Sequence, residues 1–161
     1  MTLTHAWKTS LTSNRSTAQE QLGVLRTEWS STDSCFKTYK YVSVASDTTV
    51  ANGTALTYTD VLGQVASSDE SDGDQNQVCG VGIGAITASY YGWVQVSGYH
   101  STVITNGDDD IADGDTLILS TTDGTVDSVA SATASTHSPV GIAVTADVDG
   151  SNTVAAQLCC V

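Results

Sequence analysis

The sequence is poor in charged residues, aromatic residues and proline. Of its 161 residues only 14% are charged, below the roughly 25% of an ordinary soluble protein. The missing polarity is supplied by 20 Ser and 24 Thr, and the only proline is Pro139. Val and Thr favour strands, and 14 Gly leave many places to turn. The composition therefore predicts an all-β fold, and the length fits one domain.

Positive charge is missing from most of the chain. Residues 1–40 carry a net charge of +2, whereas residues 41–161 carry fifteen carboxylates and no Lys or Arg, hence −15. A surface of that sign repels phosphate and anionic lipid. We therefore expect no nucleic-acid partner and no membrane partner. The five basic residues are Lys8, Arg15, Arg26, Lys37 and Lys40.

Long apolar runs and paired cysteine motifs are also missing. Neither 75–107 nor 128–146 contains about 18 consecutive apolar residues, and residues 1–12 lack the apolar core of a signal peptide. The sequence thus predicts a soluble chain without a secretion signal. No CxxC spacing occurs, and a disulfide between adjacent cysteines would be strained. Buried thiols in a reducing compartment are favoured over a disulfide framework for Cys35, Cys79, Cys159 and Cys160.

Motifs of catalysis and cofactor binding are absent. The three histidines, His5, His100 and His137, are scattered, and there is no Gly-x-Ser-x-Gly, His-Glu-x-x-His or phosphate-binding Gly-rich loop. We expect no enzyme activity and no cofactor, with a hydrolase as the least favoured alternative. The alternate glycines of Gly80-Val-Gly-Ile-Gly-Ala85 indicate close packing of adjacent strands.

Acidic turns supply oxygen ligands without completing a calcium loop. The segments 72–76, 108–115 and 147–152 are rich in Asp around a Gly, but none has the EF-hand pattern. Solvated turns that protect strand edges are expected, and no metal. The calcium alternative would use Asp147, Asp149 and Asn152 or the 108–115 run.

What the sequence does contain is an internal repeat. Val50-Ala-Asn-Gly-Thr-Ala-Leu56 is similar to Ile111-Ala-Asp-Gly-Asp-Thr-Leu117, and two further matches occur in the same order at offsets of 52 and 59 residues. Two similar β units are predicted, about 39–88 and 91–146, with a closing strand at 153–161. In each unit the Asn-Gly or Asp-Gly pair forms a turn with φ > 0. Convergent low-complexity β sequence is the alternative. The further matches are Tyr39-Lys-Tyr-Val-Ser-Val44 with Tyr91-Gly-Trp-Val-Gln-Val96, and Val81-Gly-Ile83 with Val140-Gly-Ile142.

Residues 1–35 lack this pattern and form a polar, mildly basic segment with two tryptophans. We interpret it as an N-terminal arm that becomes ordered on a partner, preceding a single β domain at 36–161. Within the domain, strand alternation places Val94 and Val96 in the core and Tyr91, Trp93 and Gln95 on the other face. That face is assigned to a subunit interface, with packing beneath the acidic insert 67–76 as the alternative.

The order of the motifs resembles the head decoration, or capsid cement, proteins of tailed bacteriophages. The resemblance rests on Tyr91-Gly-Trp-Val-Gln95, Ile111-Ala-Asp-Gly-Asp115 and Val140-Gly-Ile-Ala143, and spans roughly 22–158. It implies a non-enzymatic, trimeric virion protein on the outer surface of the capsid, with a compact β-barrel or β-clip-like fold and an N-terminal arm that orders on the shell. The longer N-terminus, the acidic insert and the Cys159-Cys160 ending depart from that pattern.

Together these observations predict a protein that stabilises an icosahedral capsid by bridging major capsid subunits, assembled in the host cytoplasm. The alternative is a head or tail fibre domain that binds a host-surface glycan, possibly with calcium. Aromatic residues are enriched at interface hot spots. The predicted capsid-binding residues are Trp7, Lys8, Arg15, Arg26 and Trp29, and the predicted homotrimer interface comprises Tyr91, Trp93 and Gln95.

Overall fold

The computed structural model describes residues 7–69, 77–107, 111–129, 138–147 and 152–160. These residues form ten β-strands and no helix, which confirms the predicted all-β class. The strands are β1 (Leu25–Ser30), β2 (Cys35–Val44), β3 (Ala55–Asp60), β4 (Val65–Ser67), β5 (Val78–Gly82), β6 (Tyr91–Ile104), β7 (Thr116–Leu119), β8 (Val126–Ser128), β9 (Pro139–Ala143) and β10 (Thr153–Cys159).

The strands form one sheet that closes on itself. Its order is β1-β2-β4-β3-β5-β6-β10-β9-β7-β8, and β2 also pairs with β6. That pairing closes β2, β4, β3, β5 and β6 into a ring. A parallel bridge between Thr105 and Val126 joins the end of β6 to β8, so β6, β10, β9, β7 and β8 form a second ring. The 14-residue strand β6 therefore belongs to both rings.

The same turn begins the first hairpin within each ring. Gly53 and Gly114 have φ of 86° and 91°, the positive sign predicted for the Asn-Gly and Asp-Gly pairs. In both turns a side-chain oxygen three residues ahead accepts a backbone hydrogen bond. The bonds run from Ala51 N–H to Thr54 Oγ1 (3.0 Å) and from Ala112 N–H to Asp115 Oδ2 (2.8 Å).

The strand ladders also repeat, at a spacing that two of the sequence matches do not have. Leu56 is opposite Gly80 in the first ring, and Leu117 is opposite Gly141 in the second, 61 residues later. By this register Val81 corresponds to Ile142, whereas the sequence match places it opposite Val140. The turn match is thus the one that coincides with the pairing, because its glycines must occupy equivalent positions.

An aliphatic core fills the space enclosed by both rings. Val94 and Val96 on β6 are fully buried in it, as the strand alternation predicts. It contains no aromatic ring except Tyr58, with the partly buried Tyr90 at its margin. Other fully buried members are Leu56, Val81, Val103, Leu117, Val126 and Leu158.

A second, aromatic cluster lies on the opposite face of β2 and β6. Its buried members are Tyr39, Tyr41 and Trp93, and it is covered by Trp7, Leu11, Leu22 and Val24 from the N-terminal segment. Within the predicted arm, 25–30 form β1, which pairs with β2, and 7–24 lie against this aromatic cluster. In the isolated chain these residues of the arm are therefore packed on the domain.

Candidate functional site

Three residues predicted for two different roles meet in the aromatic cluster. The ring centroids of Trp7 and Trp93 are 5.3 Å apart in an edge-to-face arrangement. The guanidinium carbon of Arg26 lies 5.5 Å from the Trp7 ring and 5.7 Å from the Trp93 ring. Such cation–π contacts stabilise by about 0.5–2 kcal/mol, depending on desolvation. Trp7 and Arg26, predicted to bind a capsid, therefore contact the chain's own interior.

Polar contacts fix the N-terminal segment over this cluster. Trp93 Nε1–H donates to Thr9 Oγ1 at 2.9 Å, which satisfies an indole N–H that is buried from water. Glu20 Oε1 accepts hydrogen bonds from the backbone N–H groups of Lys8 (2.7 Å) and Thr9 (3.0 Å). The sequence analysis missed Thr9 and Glu20. The available signal was that Glu20 is the only carboxylate before residue 28.

The residues assigned to a trimer interface lie mostly inside the chain. Trp93 and Gln95 are each 1% exposed. Gln95 Nε2 donates to the carbonyls of Gly98 (3.2 Å) and Tyr99 (3.0 Å) beside an irregularity in the β2–β6 ladder. Tyr91 is half-buried and keeps some surface. The trimer stays a prediction, and in this structure only Tyr91 of the three has side-chain area to offer it.

The charged side chains of Lys8 and Arg15 belong to exposed residues. Their backbones are fixed, since Arg15 and Tyr91 exchange N–H···O=C bonds of 3.1 and 2.8 Å. Both cations are thus displayed from an ordered segment on the surface that covers the aromatic cluster.

Trp29 is the one predicted tryptophan that points away from the interior. It is 56% exposed and lies directly opposite Phe36, which is 66% exposed, in the β1–β2 ladder. Their ring centroids are 5.1 Å apart. Leu25, on the same face of β1, is also exposed. The sequence analysis missed Leu25 and Phe36, although the odd-numbered alternation of Leu25 and Trp29 was visible.

This apolar face continues to the tip of the β3–β4 hairpin. Lys40 pairs with Leu25 in the ladder, and it also lines a shallow depression of about 500 Å³ together with Leu62. Leu62 is 98% exposed at the hairpin tip, beside Val61. We name Leu25, Trp29, Phe36, Val61 and Leu62 the apolar strip.

Both hairpins that carry the apolar strip are fixed by polar contacts. Lys37 Nζ lies 2.7 Å from Asp33 Oδ2, and Ser30 Oγ donates to the same carboxylate at 2.7 Å. These hydrogen bonds lower the pKa of Asp33 below its ordinary value. At the other tip Gly63 N–H donates to Asp60 Oδ1 at 2.9 Å. The strip is therefore presented by two ordered turns.

The cation beside the strip is partly occupied. Lys40 Nζ is 3.2 Å from the Tyr58 hydroxyl, which donates to Gln64 Oε1 at 3.1 Å. Burial raises the pKa of Tyr58 above its ordinary value, so the hydroxyl stays protonated. Lys40 thus keeps its charge next to a neutral partner, and the strip has a positive rather than an acidic border at this point.

Other chemistry was sought in the part of the chain that the structure describes. It contains no group of three or more His, Cys, Asp or Glu placed to hold a metal. None of its elements is a helix of sufficient length and apolarity to cross a bilayer. Asp147 is buried and bonded to the Thr105 hydroxyl. Segments 70–76, 108–110 and 148–151 of the acidic turns, with Asp149, lie outside the described residues.

The four cysteines are free, so the adjacent pair at 159–160 forms no disulfide. Cys79 and Cys160 are buried, and this burial raises the pKa of each thiol to about 12. Cys160 Sγ donates to the Val140 carbonyl at 3.1 Å. These two thiols are packing groups that stay protonated at neutral pH.

No protein-family model, curated protein or solved structure matches this chain.

Proposed function

We propose that this chain is a structural protein of a tailed-bacteriophage virion. It binds the outer surface of the icosahedral head after assembly in the host cytoplasm, bridges major capsid subunits and performs no catalysis. The motif order that resembles capsid decoration proteins supports this proposal. The observation that carries it in the structure is the apolar strip, an uncovered apolar surface on ordered hairpins.

The strip concentrates the exposed apolar side chains of the described residues. Five of their eight exposed large hydrophobic side chains belong to it, and the other three are Val129, Ile142 and Val144. An exposed apolar patch with a polar border is typical of a protein interaction site. The aromatic pair at one end has the composition of an interface hot spot.

The distribution of charge supports the same surface. Every basic residue lies within residues 1–40, the part of the chain that supplies β1, most of β2 and the covering segment. The remaining sequence, with −15, would be repelled by an acidic shell. The strip and its neighbouring cations are therefore the face that suits an uncharged or mildly acidic capsid surface, while the acidic hydroxyl-rich remainder faces solvent.

Cosedimentation with expanded, DNA-free heads of the virus that encodes the chain tests the proposal. The wild-type chain should pellet with the heads and raise their melting temperature. Leu62→Ser removes an apolar side chain that contacts little in the free chain, so it should weaken head binding at least about tenfold without lowering the chain's own stability.

Ile142→Ser is the matched control, because Ile142 is 49% exposed but lies outside the strip. It should bind heads like the wild-type chain. Failure of the wild-type chain to bind expanded heads, or equal loss of binding in both variants, would contradict the proposal. Specific binding to a glycan array without head binding would favour the fibre-domain alternative.

A further inference from the structure

Strand β1 is a sheet edge with uncharged residues on its outer face. It stands at one end of the strand order, and its only described partner is β2. At the opposite end, β8 is bridged by Thr105. Proteins usually protect a free edge with charge, proline or a covering segment. On β1 the exposed residues Leu25, Thr27 and Trp29 offer none of these among the described contacts.

The hydrogen-bond pattern shows which backbone groups are turned outward. Tyr41 N–H donates to the Val24 carbonyl at 3.1 Å, just before β1 begins. In an antiparallel ladder inward and outward groups alternate along the strand. The backbones of Arg26, Glu28 and Ser30 therefore bond β2, and those of Leu25, Thr27 and Trp29 point to the free edge.

The side chains of β1 are self-complementary about Thr27. If a second β1 runs antiparallel with Thr27 opposite Thr27, Leu25 lies opposite Trp29 of the other copy. Arg26 then lies opposite Glu28 of the other copy. Opposite charges and apolar pairs at directly opposed positions stabilise a sheet, whereas like charges destabilise it. No like charges are directly opposed in this register.

The same register satisfies the outward backbone groups. Positions 25, 27 and 29 of each strand become the hydrogen-bonded pairs, so six N–H···O=C bonds form between two copies. We propose that two copies of this chain associate through antiparallel pairing of their β1 strands, centred on Thr27, to form one sheet across a two-fold axis. An isologous contact of this kind closes and does not propagate.

The contact leaves the apolar strip usable. Only the edge of β1 is consumed, and the exposed faces of Trp29 and Phe36 from both copies come to lie on one continuous sheet surface. A five-residue edge buries less than the roughly 1,600 Å² of a standard interface. The association should therefore be concentration-dependent rather than permanent. This pairing does not depend on the proposed capsid role.

Sedimentation velocity of the purified chain over a wide concentration range tests the pairing without any capsid. A monomer–dimer equilibrium is expected. Thr27→Lys places two ammonium groups opposite each other at the centre and should raise the dimer dissociation constant at least about tenfold. Thr38→Lys is the matched control: Thr38 shares the 3.0 Å hydroxyl contact with Thr27 but lies on β2, away from the edge.

Amide hydrogen exchange of the wild-type chain provides a readout that needs no variant. The outward N–H of Thr27 should exchange more slowly as concentration rises, while the N–H of the hairpin turn residue Ser34 should not change. A monomer at all concentrations, a trimer that Thr27→Lys leaves intact, or a Thr27 amide insensitive to concentration would each overturn the proposal. Equal dissociation by Thr27→Lys and Thr38→Lys would overturn it as well.

Discussion

The two faces of the β1–β2 hairpin carry aromatic or cationic side chains with opposite fates. On the inner face Arg26 and Tyr39 join the aromatic cluster, which residues 7–24 cover. On the outer face Trp29 and Phe36 contact each other and are otherwise exposed. Tryptophans from one short N-terminal stretch therefore serve two purposes. One set stabilises the fold, and the other is available to a partner.

The comparison also shows how differently the two sides of β6 are sealed. Val94 and Val96 are enclosed by the rings themselves, whereas Trp93 depends on a segment held by hydrogen bonds of Thr9 and Glu20. The aromatic side is thus the one that loss of a few polar contacts would open. Each prediction below changes one side of this comparison.

The largest effect is expected for Trp93→Ala. Trp93 is fully buried between Trp7 and Tyr41, so its truncation leaves a cavity and should lower the free energy of unfolding by about 3–5 kcal/mol. Urea denaturation followed by circular dichroism measures this. A variant as stable as the wild-type chain but altered in oligomeric state would restore the sequence-based assignment of Trp93 to a subunit interface.

A smaller effect is expected when only the cover is loosened. Thr9→Val keeps the shape of the side chain but leaves the buried indole N–H of Trp93 without an acceptor. The cost should be about 1–3 kcal/mol of unfolding free energy. Thr12→Val, at an exposed position of the same segment, is the control and should change stability by about 0.5 kcal/mol or less. Equal effects of both variants would show that the segment does not seal the cluster.

A third prediction concerns pH and the core side of β6. Thr102 N–H donates to His100 Nδ1 (3.2 Å), so Nε2 carries the proton and donates to the Gly82 carbonyl (3.2 Å). Burial lowers the pKa of His100 below its ordinary 6.5. Stability from the neutral ring is therefore complete above pH 6.5 and is lost as pH falls below it toward the folded-state pKa.

The melting temperature should accordingly fall between about pH 7 and about pH 5, by an amount equivalent to roughly 1 kcal/mol. His100→Gln can keep both hydrogen bonds without titrating and should flatten this slope. The lowered pKa of Asp33 acts only below its ordinary value of 3.8, outside this range. An unchanged slope in the Gln variant would assign the acid sensitivity to other groups.

Local rules accounted for more of the fold than of the site. Positive φ at Gly53 and Gly114, the core position of Val94 and a closing strand from Thr153 all follow from turn chemistry and alternation. The covering of Trp93 could not be predicted, because its partner Thr9 is 84 residues away in a segment without periodicity. Alternation separates two faces but does not tell which one another segment covers.

The same limit applies to the apolar strip. Trp29 was predicted as a binding residue, but its partner Phe36 becomes its neighbour only through the hairpin register. Leu62 joins them only because the β3–β4 tip folds back beside Lys40. A surface assembled from three turns of the chain has no single motif in the sequence.

The measurement that tests the account most directly compares Trp29→Ala with Trp7→Ala for both stability and binding to expanded heads. Trp29→Ala should unfold within about 1 kcal/mol of the wild-type chain yet lose at least about tenfold in head affinity. Trp7→Ala should lose about 2 kcal/mol of stability but bind heads normally while folded. The reverse result, with Trp7 needed for binding and Trp29 for folding, would contradict the assignment of the outer aromatic face to the partner.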